Sequence, residues 1–76
     1  MNNTRRKEIR EIINKLESIK TDIETVMDDE QEAFDNLSDG LQCSSRGSDM
    51  EAAVDSLAEA IDSVDETISS LEEAMT

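Results

Sequence analysis

Carboxylates are the residues of this sequence best placed for chemistry, and the second half of the chain spaces them regularly. Five of them recur at steps of three, four or seven residues, which places them on one edge of a helix, and those three or four residues apart are about 5–6 Å from each other. This acidic ridge consists of Asp55, Glu59, Asp62, Glu66 and Glu73. A row of this kind imitates the phosphates of a nucleic-acid strand and would be attracted to a basic groove of a partner protein. The alternative is a solvated face that keeps a small protein soluble.

The other reactive residue types do not combine into a catalytic or metal site. Asp28, Asp29, Glu30 and Glu32 form the densest acidic cluster. Adjacent carboxylates on a helix diverge, however, and the glycine-containing loop of an EF-hand is missing. The chain has no His and a single Cys, Cys43. It therefore lacks a zinc site, an intrachain disulfide and a nucleophile–base pair, and we expect no enzyme, no metal and no cofactor.

Composition narrows the class of protein further. The 76 residues suffice for one small domain, and 20 acidic against 7 basic residues give a net charge of −13. The small basic cluster near the start has no aromatic platform beside it, which disfavours direct nucleic-acid binding. No apolar run is long enough for a membrane span, and no apolar segment follows the basic start as a secretory signal would require. A lone thiol suits a reducing compartment, so we expect a cytoplasmic protein.

Apolar residues define two long helices that must position these carboxylates. They return in alternating steps of three and four, the period of coiled-coil packing, and only Glu30 interrupts the first series. The first series is Ile9, Ile12, Leu16, Ile19, Ile23, Val26, Ala33 and Leu37. The second series is Met50, Val54, Leu57, Ile61, Val64, Ile68, Leu71 and Met75.

Capping residues predict where the helices begin and end. Thr4 is a plausible cap for helix one, and Gly40 could end it in the left-handed conformation. Ser48 and Glu51 have the spacing of a capping box for helix two. The predicted single domain therefore has helix one at about 4–38, a loop at about 39–48 and helix two at about 49–75.

Charge predicts how the two helices meet. Six of the seven basic residues lie within the first 20 positions, and helix two ends on Glu72 and Glu73. Both placements are unfavourable for the helix dipole. An antiparallel hairpin offsets this cost, because it lays the basic start of helix one beside the acidic end of helix two. The fold class is therefore all-α, an antiparallel two-helix coiled-coil hairpin.

The apolar stripes are wider than a two-stranded seam needs. Residues flanking the heptad positions widen them, and we expect these residues to bind a second copy or a partner. They are Ile13, Met27, Phe34, Ala53 and Ala60. The sequence thus predicts a homodimer that forms a four-helix bundle. The alternative is a weakly stable hairpin that finds its second layer on another protein.

Three segments of the chain are similar to those of a group of small acidic proteins from phages and mobile elements of Gram-positive bacteria. A basic start, here residues 4–7 (TRRK), leads into a long helix. Residues 32–37 (EAFDNL) precede a Ser/Gly loop, and a helix of the Asp-Ser-Leu, Glu-Glu-Ala type closes the chain. The resemblance implies a phage setting and the host-cell cytoplasm as the location. It implies no activity and no site residues.

Two hypotheses about function follow from different classes. In the first, the protein inhibits a host defence or DNA-handling protein, partly by acidic mimicry of nucleic acid. In the second, it is a structural or scaffolding module that docks through its apolar stripe. Partner binding should weaken with salt in the first case and tolerate salt in the second.

Overall fold

Three helices make up the protein, as seen in a computed structural model that describes residues 1–76. Helix α1 spans Asn3–Asp35, the short α2 spans Asp39–Gln42 and α3 spans Ser45–Ala74. The chain contains no strand, and α1 and α3 pack along each other. The resulting hairpin is elongated, with Cα extents of 58 × 15 × 11 Å. The predicted all-α class and the pairing of two long helices are confirmed.

Two contacts fix the relative direction of the long helices. Near the open end, Arg6 Nε donates a hydrogen bond of 3.1 Å to the carbonyl oxygen of Met75. Near the middle, Lys20 Nζ lies 2.8 Å from Asp65 Oδ1. The basic start of α1 therefore lies beside the acidic end of α3, and the hairpin is antiparallel as its charges predicted.

The contact between α1 and α3 is thin, and its two most buried side chains are Ile13 and Ile68, at 7% and 8% exposure. On α3 the packed residues follow the predicted heptad series, all buried or half-buried. On α1 two rows of residues seven apart face α3. One row is Arg6, Ile13, Lys20, Met27 and Phe34, and the other is Ile9, Leu16, Ile23 and Glu30, which Leu37 continues just beyond the end of the helix.

The rotation of α1 differs from the prediction. Ile12, Ile19 and Val26 were expected in the seam, but their exposures are 45%, 47% and 55%. The row containing Ile13, Met27 and Phe34 was expected to face a partner, and it faces α3 instead. This rotation brings Arg6 and Lys20 within reach of their partners on α3, which the predicted rotation would not do.

The connection between the long helices is more helical than the predicted loop at about 39–48, because α2 and the first turn of α3 lie within that range. Ser38 Oγ accepts a hydrogen bond from Leu41 N (3.4 Å) and starts α2, which contains Gly40. No glycine has a positive φ, so Gly40 is not a left-handed cap. Helix α3 begins after Ser44 rather than Ser48.

The start of α1 also differs in its capping residue. Asn2 Oδ1 accepts a hydrogen bond of 2.9 Å from Arg5 N, which satisfies one of the free N–H groups at this helix end. Asn2 rather than Thr4 is therefore the cap. Neither α1 nor α3 has a stretch long and apolar enough to cross a membrane.

Candidate functional site

The acidic ridge lies on the face of α3 that points away from α1. The heptad residues of α3 turn its opposite side toward α1, and this leaves all five carboxylates exposed. From Asp55 to Glu73 the ridge extends about 27 Å at 1.5 Å per residue. The structure therefore brings the predicted ridge residues together on one continuous, solvent-facing surface.

No cation neutralises the ridge. The single salt bridge in the chain joins Lys20 to Asp65, which belongs to the flank of α3 beside α1. The hydrogen bond to Asp65 is the main cause that raises the pKa of Lys20. Desolvation opposes it, and the negative charges of Asp65, Glu24 and Glu17 add to the rise. Lys20 thus serves the contact between the helices, and no ridge carboxylate forms a salt bridge.

A second exposed surface follows α1. Residues seven apart form a row on its side, separate from both rows that face α3. This outer row consists of Ile12, Ile19, Val26 and Ala33, and all four are exposed. Exposed β-branched apolar residues at a strict seven-residue spacing form the kind of seam that binds another helix.

The heptad pattern predicted that the outer row contacts α3, and this is wrong. The distribution of basic residues on α1 indicates the observed rotation. Arg6 and Lys20 belong to the same seven-residue row as Ile13, so the row that carries basic residues is the one that meets the acidic α3. Matching bases on one helix with acids on the other would have selected this rotation.

The predicted partner-binding stripe is largely occupied within the chain. Ile13 is buried, and Met27, Phe34, Ala53 and Ala60 are half-buried. At 7% exposure, Ile13 has almost no surface to offer a partner. Ala53 and Ala60 lie at the border of the contact between α1 and α3 and remain partly accessible.

The other sequence candidates remain separate from these surfaces. Glu30, which interrupts the first apolar series, is half-buried and forms no salt bridge. Cys43 is an exposed free thiol at the end of α2. No group of three or more His, Cys, Asp or Glu side chains is arranged to hold a metal ion, and the surface has no pocket.

Comparisons with known proteins place the chain in no family. No protein-family model, no curated protein and no solved structure matches it.

Proposed function

We propose that this chain is a non-enzymatic protein–protein interaction module that binds a basic surface of a partner through the acidic ridge of α3. The observation that carries the proposal is the combination of exposure and lack of cations along the ridge. Five carboxylates over about 27 Å have a mean spacing along the helix of about 7 Å, about twice the 3.4 Å per charge along one DNA strand. A groove that binds a nucleic-acid backbone would accept such a row.

The setting we propose is that of a phage or mobile element, in which the protein acts in the host cytoplasm on a defence or DNA-handling protein. Support comes from the resemblance of residues 4–7 and 32–37 to small acidic proteins of such elements. The net charge of −13 supports the mode of action, because it would steer the protein toward a basic target.

The test is a pull-down of the tagged protein from a Gram-positive host lysate at low and high salt. We expect a nucleic-acid-binding protein that is retained at low salt and released by high salt or by added double-stranded DNA. A variant without four ridge charges should lose it. That variant carries Asp55→Asn, Glu59→Gln, Asp62→Asn and Glu66→Gln.

A matched control removes the same number of charges from the exposed surface of α1. It carries Asp28→Asn, Asp29→Asn, Glu32→Gln and Asp35→Asn. The control should retain the partner, because the ridge remains intact. Equal loss of binding in both variants would mean that only net charge matters. Retention by the ridge variant would refute acidic mimicry.

The exposed outer row favours a second candidate function. A structural module would dock on a larger assembly through Ile12, Ile19 and Val26, whose exposures are 45%, 47% and 55%. Its binding would survive high salt and be lost on Ile19→Glu. We also propose that the protein is a homodimer in a four-helix bundle, because only three of its 76 residues are buried and a hairpin this thin is marginal alone.

A further inference from the structure

We propose that two copies associate through one defined side of the hairpin, with their α1 helices antiparallel and centred on Ile19. This inference rests on the homodimer proposed above and names its surface. The surface, called here the neutral face, combines the outer row of α1 with a row of small residues on α3. The second row is Ser56, Ala60, Ser63, Thr67 and Ser70.

The small residues of α3 form a continuous uncharged strip. They follow one another in steps of four and three, the same spacing as the packed heptad residues. All are exposed except the half-buried Ala60, and no acidic residue interrupts them. On a helix with nine exposed acidic side chains, this strip lets a second helix approach closely without burying charge.

Helix geometry places both rows on the same side of the hairpin. At about 100° per residue, the outer row lies about 80° from the α3-facing side of α1, and the small-residue row lies about 110° from the α1-facing side of α3. Viewed along each helix from its N-terminus, both rows are reached by turning in the same direction from the side that faces the other helix. Because the two helices run in opposite directions, these turns lead to the same side of the plane that contains both helix axes. The Lys20–Asp65 salt bridge lies toward the opposite side.

Charge selects a second copy as the occupant. Residues 3–20 of α1 carry six basic and three acidic side chains, whereas residues 21–35 carry seven acidic side chains and no basic one. Two antiparallel α1 helices set each basic half against the acidic half of the other copy, and a parallel pair would set like charges together. With the two-fold axis at Ile19, Ile12 of one copy faces Val26 of the other. Lys15 then lies level with Ile23 of the second copy, one residue or about 1.5 Å along the axis from Asp22.

The available area is sufficient for a modest dimer. From Ile12 to Ala33 the face is about 32 Å long at 1.5 Å per residue. The hairpin is 15 Å across its second axis. Two such faces bury on the order of 1,000 Å² in total, the lower limit of a specific interface. We therefore expect a dimer that dissociates at micromolar rather than nanomolar concentration.

The test is sedimentation equilibrium of the full chain from about 1 µM to about 1 mM, the range in which weak homodimers dissociate. Ile19→Glu should raise the dimer Kd on the order of 100-fold, because two carboxylates would meet at the symmetry axis. Ser18→Glu adds the same charge one residue away, on the side opposite α3, and should leave the Kd within about threefold.

Orientation is tested by disulfide cross-linking in a Cys43→Ser background, which removes the only native thiol. A mixture of Ile12→Cys and Val26→Cys chains should form the mixed disulfide, and Ile12→Cys chains alone should remain monomeric on a non-reducing gel. Cross-linking of Ile12→Cys chains to each other would overturn the antiparallel arrangement.

The remaining outcomes separate this inference from the proposals on which it rests. A dimer that Ile19→Glu does not weaken would overturn the neutral face and leave the homodimer standing. A wild-type monomer at every concentration would overturn the homodimer and its face together. The pull-down with the ridge variant tests partner binding separately, because the ridge lies outside the neutral face.

Discussion

At the scale of single residues, Gly47 occupies a position with no room for a side chain. It is buried at the start of α3, and a Cβ built on it would lie 2.6 Å from the carbonyl carbon of Gln42 and 2.8 Å from Gln42 Cα. Gln42 cannot move freely, because its Nε2 donates a hydrogen bond of 3.1 Å to the carbonyl oxygen of Phe34. The absence of a side chain at Gly47 is therefore what allows α2 to pack on the start of α3.

Gly47→Ala should destabilise the protein. Alanine in a helix gains about 1 kcal/mol over glycine. The overlap with backbone atoms should outweigh this gain, with overpacking of this kind costing about 1–3 kcal/mol. We expect a net loss of about 1 kcal/mol and a decrease of about 4–8 °C in the Tm followed by circular dichroism.

Gly40→Ala is the matched control for this substitution. Gly40 lies in α2, and a Cβ there has no neighbour within 4 Å. Because alanine lowers the entropy of the unfolded chain, Gly40→Ala should raise the free energy of unfolding by about 0.4–1 kcal/mol. A Gly47→Ala protein as stable as the wild type would mean that α2 and α3 separate without loss. The sequence drew attention to Gly40 as a turn residue, but only a three-dimensional distance identifies Gly47.

At the scale of the helix, periodicity determines which residues form α1 but not how α1 rotates. Three rows of residues seven apart lie side by side on α1, and each contains apolar side chains. Any two neighbouring rows could face α3, so the heptad pattern alone is ambiguous by one row. On α3 the third row consists of small residues, and there the predicted seam and the observed seam agree.

Alanine substitutions at Ile13 and Ile12 test the rotation of α1 directly, because the two residues are neighbours of the same type. Ile13 is 7% exposed and Ile12 is 45% exposed. Ile13→Ala should lower the free energy of unfolding by about 2–4 kcal/mol through lost burial and the cavity left behind. Ile12→Ala should change it by no more than about 0.5 kcal/mol, as expected for a surface position.

Chemical denaturation at low protein concentration measures both effects in the monomer. Dilution is necessary because Ile12 also belongs to the proposed dimer surface, where its loss would count a second time. If Ile12→Ala were the more damaging change under these conditions, α1 would have the rotation that its first heptad series predicted.

At the scale of the whole molecule, the hairpin keeps its surfaces of different character apart. The acidic ridge points away from α1, the one salt bridge lies toward one side and the neutral face occupies the other. The sequence predicted the ridge because all its residues lie on one helix, so that helix periodicity alone determines their relative positions. It did not predict the neutral face, because that face joins residues more than 20 positions apart and exists only once α1 and α3 have a defined rotation.

Because of its net charge, the hairpin should become more stable as salt is added. Twenty acidic side chains share a molecule that is 15 Å and 11 Å across its two short axes, and one salt bridge opposes their repulsion. The Debye length falls from about 10 Å at 0.1 M salt to about 3 Å at 1 M. Screening therefore relieves many repulsive pairs and weakens a single attractive one. We expect the Tm to rise as NaCl is increased over this range, measured by circular dichroism at low protein concentration.

The variant with four neutralised ridge residues provides the comparison for this effect. It removes four of the 20 acidic charges from one edge of α3, so its Tm in low salt should be higher than that of the wild type and its response to NaCl smaller. A wild-type Tm that fell with added salt would mean that attractive contacts such as Lys20–Asp65 dominate the electrostatics of the fold. An equal response in both proteins would place the repulsion elsewhere, most directly in the acidic half of α1. In that case the ridge could carry its full charge without destabilising the hairpin, and the unpaired carboxylates would be free to serve a partner.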